Sequence, residues 1–148
     1  GGRTAEEHLK VVCEQVGYPT ADWQTFRDRF FAGDVLDAAL VDHIRSLKED
    51  YHIALLSNAF DDLRFVLTNE WKILDLFDTV VISGEVGLKK PNPAIYELTL
   101  EKVEYNAAES VFIDDFEHNI KAAKALGIHG IRFLSPEQAT KDLTELLA

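Results

Sequence analysis

Three short stretches place reactive groups directly after apolar runs. The sharpest is Val111-Phe-Ile-Asp-Asp115. Adjacent carboxylates repel, and neither stays ionised in a partly buried place without compensation. A hard cation with oxygen ligands supplies it, and Mg²⁺ takes one or two carboxylates beside a substrate phosphate. The plainer reading is a solvated turn whose second acid caps a helix. The next stretch is Gly87-Leu-Lys-Lys-Pro-Asn-Pro93. Two prolines stiffen the chain around Lys90, and a helix start follows. A fixed ammonium and helix N–H groups then favour an anion at one point. A surface basic loop is the ordinary alternative, with Lys89 as the solvated neighbour. The third stretch, Ile53-Ala-Leu-Leu-Ser-Asn58, ends in a hydroxyl and an amide. Ser57 and Asn58 can bind an oxyanion there or simply cap a helix. No Gly-x-Ser-x-Gly elbow surrounds Ser57, which argues against a serine nucleophile.

The histidines (His8, His43, His52, His118, His129) lack metal-ligand spacing and read as surface or packing residues. Cys13 falls in a helical pattern and is expected to pack.

These residues need elements to hold them. Thr4 and Glu7 have capping-box spacing, and Leu9, Val12 and Val16 continue a helix that Gly17 and Pro19 end. A second helix runs from about Asp22 to Gly33, and its face of Trp23, Phe26 and Phe30 is expected to pack in a core or between domains, or less ordinarily to line a substrate. A third spans 37–48, with Leu40, Ile44 and Leu47 as its stripe. Then the rhythm changes. Strands over 52–57, 79–83, 110–114 and 128–133 alternate with helices over 61–71, from Asn92, over 120–126 and over 136–147. That alternation predicts βαβ units and a parallel sheet, with functional groups beyond the carboxyl ends of the strands. The rule selects Ser57-Asn58, Ser83-Gly84 and Asp114-Asp115.

The whole chain sets outer limits. Its 148 residues suit one domain, and 47% hydrophobic with 28% charged residues is globular composition. Asp and Glu number 26 against 15 Lys and Arg, a net charge of −11. That excess, with the cations scattered, argues against nucleic acid as a partner. No apolar run approaches the ~20 residues of a membrane span, and no signal peptide is visible, so no membrane partner is expected. A single cysteine excludes an internal disulfide framework and fits a reducing compartment, hence a cytoplasmic location. The chain has no methionine and begins Gly1-Gly2, so a processed or non-natural start is expected.

Together these stretches, the first continued to Asn119 as Val111-Phe-Ile-Asp-Asp-Phe-Glu-His-Asn119, with Phe77-Asp-Thr-Val-Val-Ile-Ser-Gly-Glu-Val-Gly87 and Ala122-Ala-Lys-Ala-Leu-Gly127, resemble the haloacid dehalogenase-like superfamily of hydrolases. The resemblance covers about residue 37 to the C-terminus. It implies an α/β fold: a Rossmann-like three-layer core with a parallel sheet, plus a helical cap. It implies that Ser57, with Asn58 beside it, binds a phosphoryl oxygen. It implies that Lys90 steadies the nucleophile and the transferring phosphoryl group. Asp115 would bind Mg²⁺ directly, Asp114 would support it, and Asn119 would be a partner of the lysine. The double acid favours Mg²⁺-dependent phosphatase chemistry on a small phosphorylated metabolite over metal-free dehalogenation of a 2-haloacid.

The family's nucleophile is an aspartate in an Asp-x-Asp motif, and no Asp-x-Asp occurs in these residues. Asp34-Val-Leu-Asp37 has no strand ahead of it, and Asp61-Asp62 begins a helix. The expectation is that the motif lies upstream of residue 1. Residues 1–33 then read as part of the cap, 34–148 as the core, and the first central strand as missing. Three outcomes are open: a separate segment supplies the strand, a second copy fills the gap by swapping as a homodimer, or the two orphan edges close on each other. The alternative reading of function is a catalytically incomplete fragment that folds or self-associates without activity.

Overall fold

The computed structural model describes residues 4–148. It divides by packing into two units, one ending at Gly87 and one spanning Leu88–Ala148. The cap boundary expected at residue 33 is a separate matter from this break.

In the first unit, α1 (Ala5–Val16) starts at the expected capping box: Thr4 Oγ1 accepts from the Glu7 N–H, and Glu7 Oε2 from the Thr4 N–H. Gly17 ends it at φ 74°, a left-handed conformation that glycine adopts without a Cβ penalty. Cys13 is fully buried, as its pattern predicts. α2 (Trp23–Phe30) corrects an expectation. It has no buried residue, and Phe30 is 69% exposed. Its rings pack on one another instead, Phe26 against Tyr18 and Phe30, Phe30 against Phe31. α2 packs chiefly on α1 and the turn before it. α3 (Ala38–Leu47) is capped by Asp37.

Parallel strands β1 (Ala54–Ser57) and β2 (Thr79–Ile82) form one sheet, with Ser57 opposite Ile82. Between them the helix expected over 61–71 is regular only over α4 (Leu63–Phe65) and widens into a π turn over Val66–Glu70. Thr68 Oγ1 and Asn69 Nδ2 take the carbonyls of Arg64 and Phe65. Side chains thus compete for the acceptors that an α-turn uses. Leu67, Ile73 and Leu76 form one buried cluster, against Val41, Ile44 and Leu55. β2 stops one residue early, because a short helix α5 (Ser83–Val86) turns out of it. Arg64 clamps α5 through both oxygens of Glu85, at 2.7 and 2.8 Å.

In the second unit, β3 (Val111–Asp114) and β4 (His129–Arg132) form a separate parallel pair. α7 (Glu117–Ala125) connects and packs on both strands, α8 (Pro136–Leu147) packs on β4, and α6 (Pro93–Val103) on α7. Asn92 caps α6 and Pro93 opens it, as expected. Ile113, the last residue of the apolar run before the two acids, is 38% exposed. Successive side chains alternate faces: Phe112 meets Tyr96 on one side, and Ile113 points to the other. The parallel strands joined by helices bear out the α/β class.

Candidate active site

The carboxyl end of β3 separates the two acids. Asp114 is buried and Asp115 is exposed. Asp114 Oδ1 accepts from the Phe116 N–H at 2.8 Å, folding the chain back in an Asx-type turn. This turn starts α7 at Glu117 rather than at 120, although Phe116 itself has no capping side chain. Asn119 Nδ2 donates to the same oxygen at 3.0 Å. The other oxygen, Oδ2, accepts from Lys90 Nζ at 2.6 Å. The side chains of this ion pair are only 9% and 6% exposed.

Burial pushes the Asp114 carboxyl up, but hydrogen bonds from Lys90, Asn119 and the Phe116 N–H outweigh it and hold the group below its usual range. Asp114 is therefore a carboxylate committed to protein donors on both oxygens. Lys90 Nζ also stands 5.4 Å from the centre of the Phe112 ring, at cation–π range. Lys89 is exposed, as expected of the solvated neighbour. The Lys90–Pro91 peptide is cis.

The structure thus brings Lys90, Asp114 and Asn119 into one cluster beside Asp115. Asn119 is expected to partner the lysine, and its amide reaches the lysine's carboxylate. Behind them lies Tyr96, 1% exposed, whose hydroxyl donates to the Asn119 carbonyl at 3.0 Å. Its ring meets Phe112 edge-on at 5.4 Å. Sequence reasoning missed Tyr96. It sits within the apolar face of α6, and no local pattern signals where a buried hydroxyl finds its acceptor.

Ser57 and Asn58 belong to the first unit, at the end of β1. The following loop is fixed by the third polar pair. Ser83 Oγ accepts from the Ala59 N–H at 3.0 Å and donates to the Ala59 carbonyl at 2.9 Å. A Cβ on Gly84 would lie 2.6 Å from the Asp61 backbone nitrogen, so only glycine lets this loop approach. Asp61 and Asp62 begin the helix, as expected, but each reaches far along the chain. Asp61 Oδ1 accepts from the Ala5 N–H at 3.1 Å, and Asp62 Oδ2 from Arg27 Nε at 2.9 Å.

Asp115 itself offers carboxylate oxygens, the donor type that suits Mg²⁺, while Arg132 Nε reaches its backbone carbonyl. Asp115 is exposed, while Asp114 is occupied by Lys90. Asn119 Oδ1 is a buried acceptor without a hydrogen-bond partner. No group of three acidic, histidine or cysteine side chains among the described residues forms a ready-made metal cage. The residues fit an ion held by one carboxylate and completed by ligand oxygens and water.

A profile described as haloacid dehalogenase-like hydrolase matches residues 38–133. The chain belongs to this family. The haloacid dehalogenase-like relatives include phosphatases. D-ribitol-5-phosphate phosphatase of Bacteroides thetaiotaomicron is 29% identical over 156 residues, covering 99% of this chain and 74% of that protein. Acyl-CoA dehydrogenase family member 10 of Mus musculus is 44% identical over 71 residues, covering 48% of this chain and 7% of that protein. Among solved structures, a HAD family enzyme of B. thetaiotaomicron in complex with magnesium and inorganic phosphate has a TM-score of 0.74 and 29% identity, over 88% of this chain and 70% of that one. These likenesses bear out the HAD-like hydrolase class, including phosphatases, with the α/β fold that the resemblance implies.

Proposed function

We propose that this chain carries the phosphate- and metal-holding residues of a Mg²⁺-dependent phosphatase acting on a small phosphorylated metabolite. The observation that carries the reading is the division of labour between Asp114 and Asp115. Asp114 neutralises and aims Lys90 from a buried position. Asp115 stays exposed at the strand end, available to Mg²⁺. When bound, the ion offsets charge on the phosphoryl oxygens. Lys90 presents a fixed ammonium, and Ser57 with Asn58 would donate to a phosphoryl oxygen. Phosphoryl transfer is mainly positioning and charge neutralisation, which suits such a set. Two likenesses support the reading: one to the ribitol-phosphate phosphatase, and one to the solved enzyme holding magnesium and phosphate.

In this reading an aspartate attacks phosphorus, the P–O bond to the leaving alcohol breaks, and water then hydrolyses the aspartyl-phosphate. These 148 residues contain no Asp-x-Asp for that role. The chain alone is therefore expected to bind but not turn over, which is the incomplete-fragment alternative restated for this sequence. Calorimetry with inorganic phosphate and Mg²⁺ tests the binding, and aryl-phosphate hydrolysis tests the turnover. Binding that EDTA or Asp115→Asn abolishes, without hydrolysis, is the expected result. No phosphate binding overturns the phosphatase reading. Hydrolysis by the chain itself, lost in Asp115→Asn, overturns the claim that the nucleophile lies elsewhere.

A further inference from the structure

The cluster around Asp114 has a second layer that the proposed chemistry does not use. The Asn119 carbonyl lies in the first turn of α7, where a helical partner four residues on already serves it. Tyr96 adds a second donor to that carbonyl, from a different helix, at 3.0 Å and fully out of water. Such a bond does little for helix formation as such. It sets where the first turn of α7 stands relative to α6.

That placement matters because Asn119 carries the next link. Its Nδ2 must reach Asp114 Oδ1, and its Oδ1 faces no partner. The one hydrogen bond on the Asn119 amide is therefore the one to the Asp114 carboxylate. From Asp114 the chain continues to Lys90 at 2.6 Å. Phe112 braces both ends, with Tyr96 in a T-shaped contact and the ammonium over its ring. Burial first, and the Asp114 charge second, push the Tyr96 hydroxyl up to about 12, so it is a proton donor at neutral pH.

We propose that Tyr96 is a positioning residue for the phosphate site: its hydroxyl, through the Asn119 carbonyl, sets the amide that fixes Asp114 and so the direction in which Lys90 presents its ammonium. The functional part of this claim rests on the phosphatase reading. The geometric part does not.

Tyr96→Phe removes only the hydroxyl and keeps the ring. The side-chain amide resonance of Asn119, assigned by ¹⁵N NMR, reads the link directly. In the unaltered chain one Nδ2 proton is displaced downfield by its carboxylate bond. In Tyr96→Phe that displacement is lost, and Mg²⁺-dependent binding of inorganic phosphate weakens about tenfold, the scale on which supporting hydrogen bonds act at metal sites. Incorporating 3-fluorotyrosine at position 96 provides a near-isosteric second test, in which a stronger donor moves the amide resonance the opposite way. An amide resonance unchanged in a folded Tyr96→Phe, or, should that variant not fold, unchanged by fluorotyrosine, overturns the proposal. An unaltered chain that binds no phosphate overturns the phosphatase reading instead, and the amide resonance then decides the positioning claim by itself.

Discussion

Lys90 and Asp114 are worth more as a pair than either is alone. Both side chains are nearly out of water. Removing one partner strands the other charge in a medium that solvates it poorly. Lys90→Met is therefore expected to destabilise the chain by roughly 3–5 kcal/mol, measured by urea unfolding at neutral pH. A loss below about 1 kcal/mol would mean that water reaches Asp114. Both residues were legible in the sequence as reactive groups after an apolar run and before a helix. Their pairing was not. Spacing along a strand places Asp114 and Asp115 on opposite faces, but which face meets the lysine depends on how α6 and β3 pack. The same holds for Asn119: the resemblance made it a partner of the lysine, and its side chain donates to Asp114.

At the scale of elements, Asp78 does for β1 and β2 what Asp114 does for the site. Its Oδ2 accepts from the Ile53 N–H at 2.9 Å, and its Oδ1 pairs with Lys48 at 2.9 Å. The Ile53 hydrogen bond, then Lys48, hold its carboxyl below the usual range. The folded state thus binds a proton less readily than the unfolded chain, whose aspartates titrate near pH 3.9. Its stabilisation is present above that value and lost as pH falls through the lower folded value. Asp78→Asn should accordingly cost stability at pH 7, and thermal melts should show the gap to the unaltered chain closing below about pH 4. A gap independent of pH would assign the loss to geometry rather than charge. Strands and long helices were readable from periodicity and caps, as at Thr4, Asn92 and the start of α8. Elements set by side-chain competition were not: the π turn after α4 and the early start of α7 both depend on which carbonyl or N–H a polar side chain reaches.

For the molecule as a whole, the strands of the described residues form two parallel pairs, one in each unit. β3 is paired on one edge. The bonds from the His129 N–H to Ser110 and from the Phe133 N–H to Asp114 set the phase of the ladder. Phe112 and Asp114 therefore turn their amides to β4, while Val111 and Ile113 turn theirs away. Hydrogen exchange should find Val111 and Ile113 faster than their neighbours. Equal protection would show that another strand occupies the edge, and its loss on dilution would identify that strand as a second copy. A charge of −11 opposes such self-association. The order of elements was legible because each βα step is local, whereas the exposure of the α2 rings was not, since it turns on what else packs there. One further result follows from the reach of Asp61 and Asp62. Their carboxylates act as struts, tying the start of α1 and the middle of α2 to a turn that begins only a few residues beyond Ser57. A tilt of that helical hairpin would be carried mechanically to the serine's loop, which Ser83 and Gly84 leave little slack to absorb it.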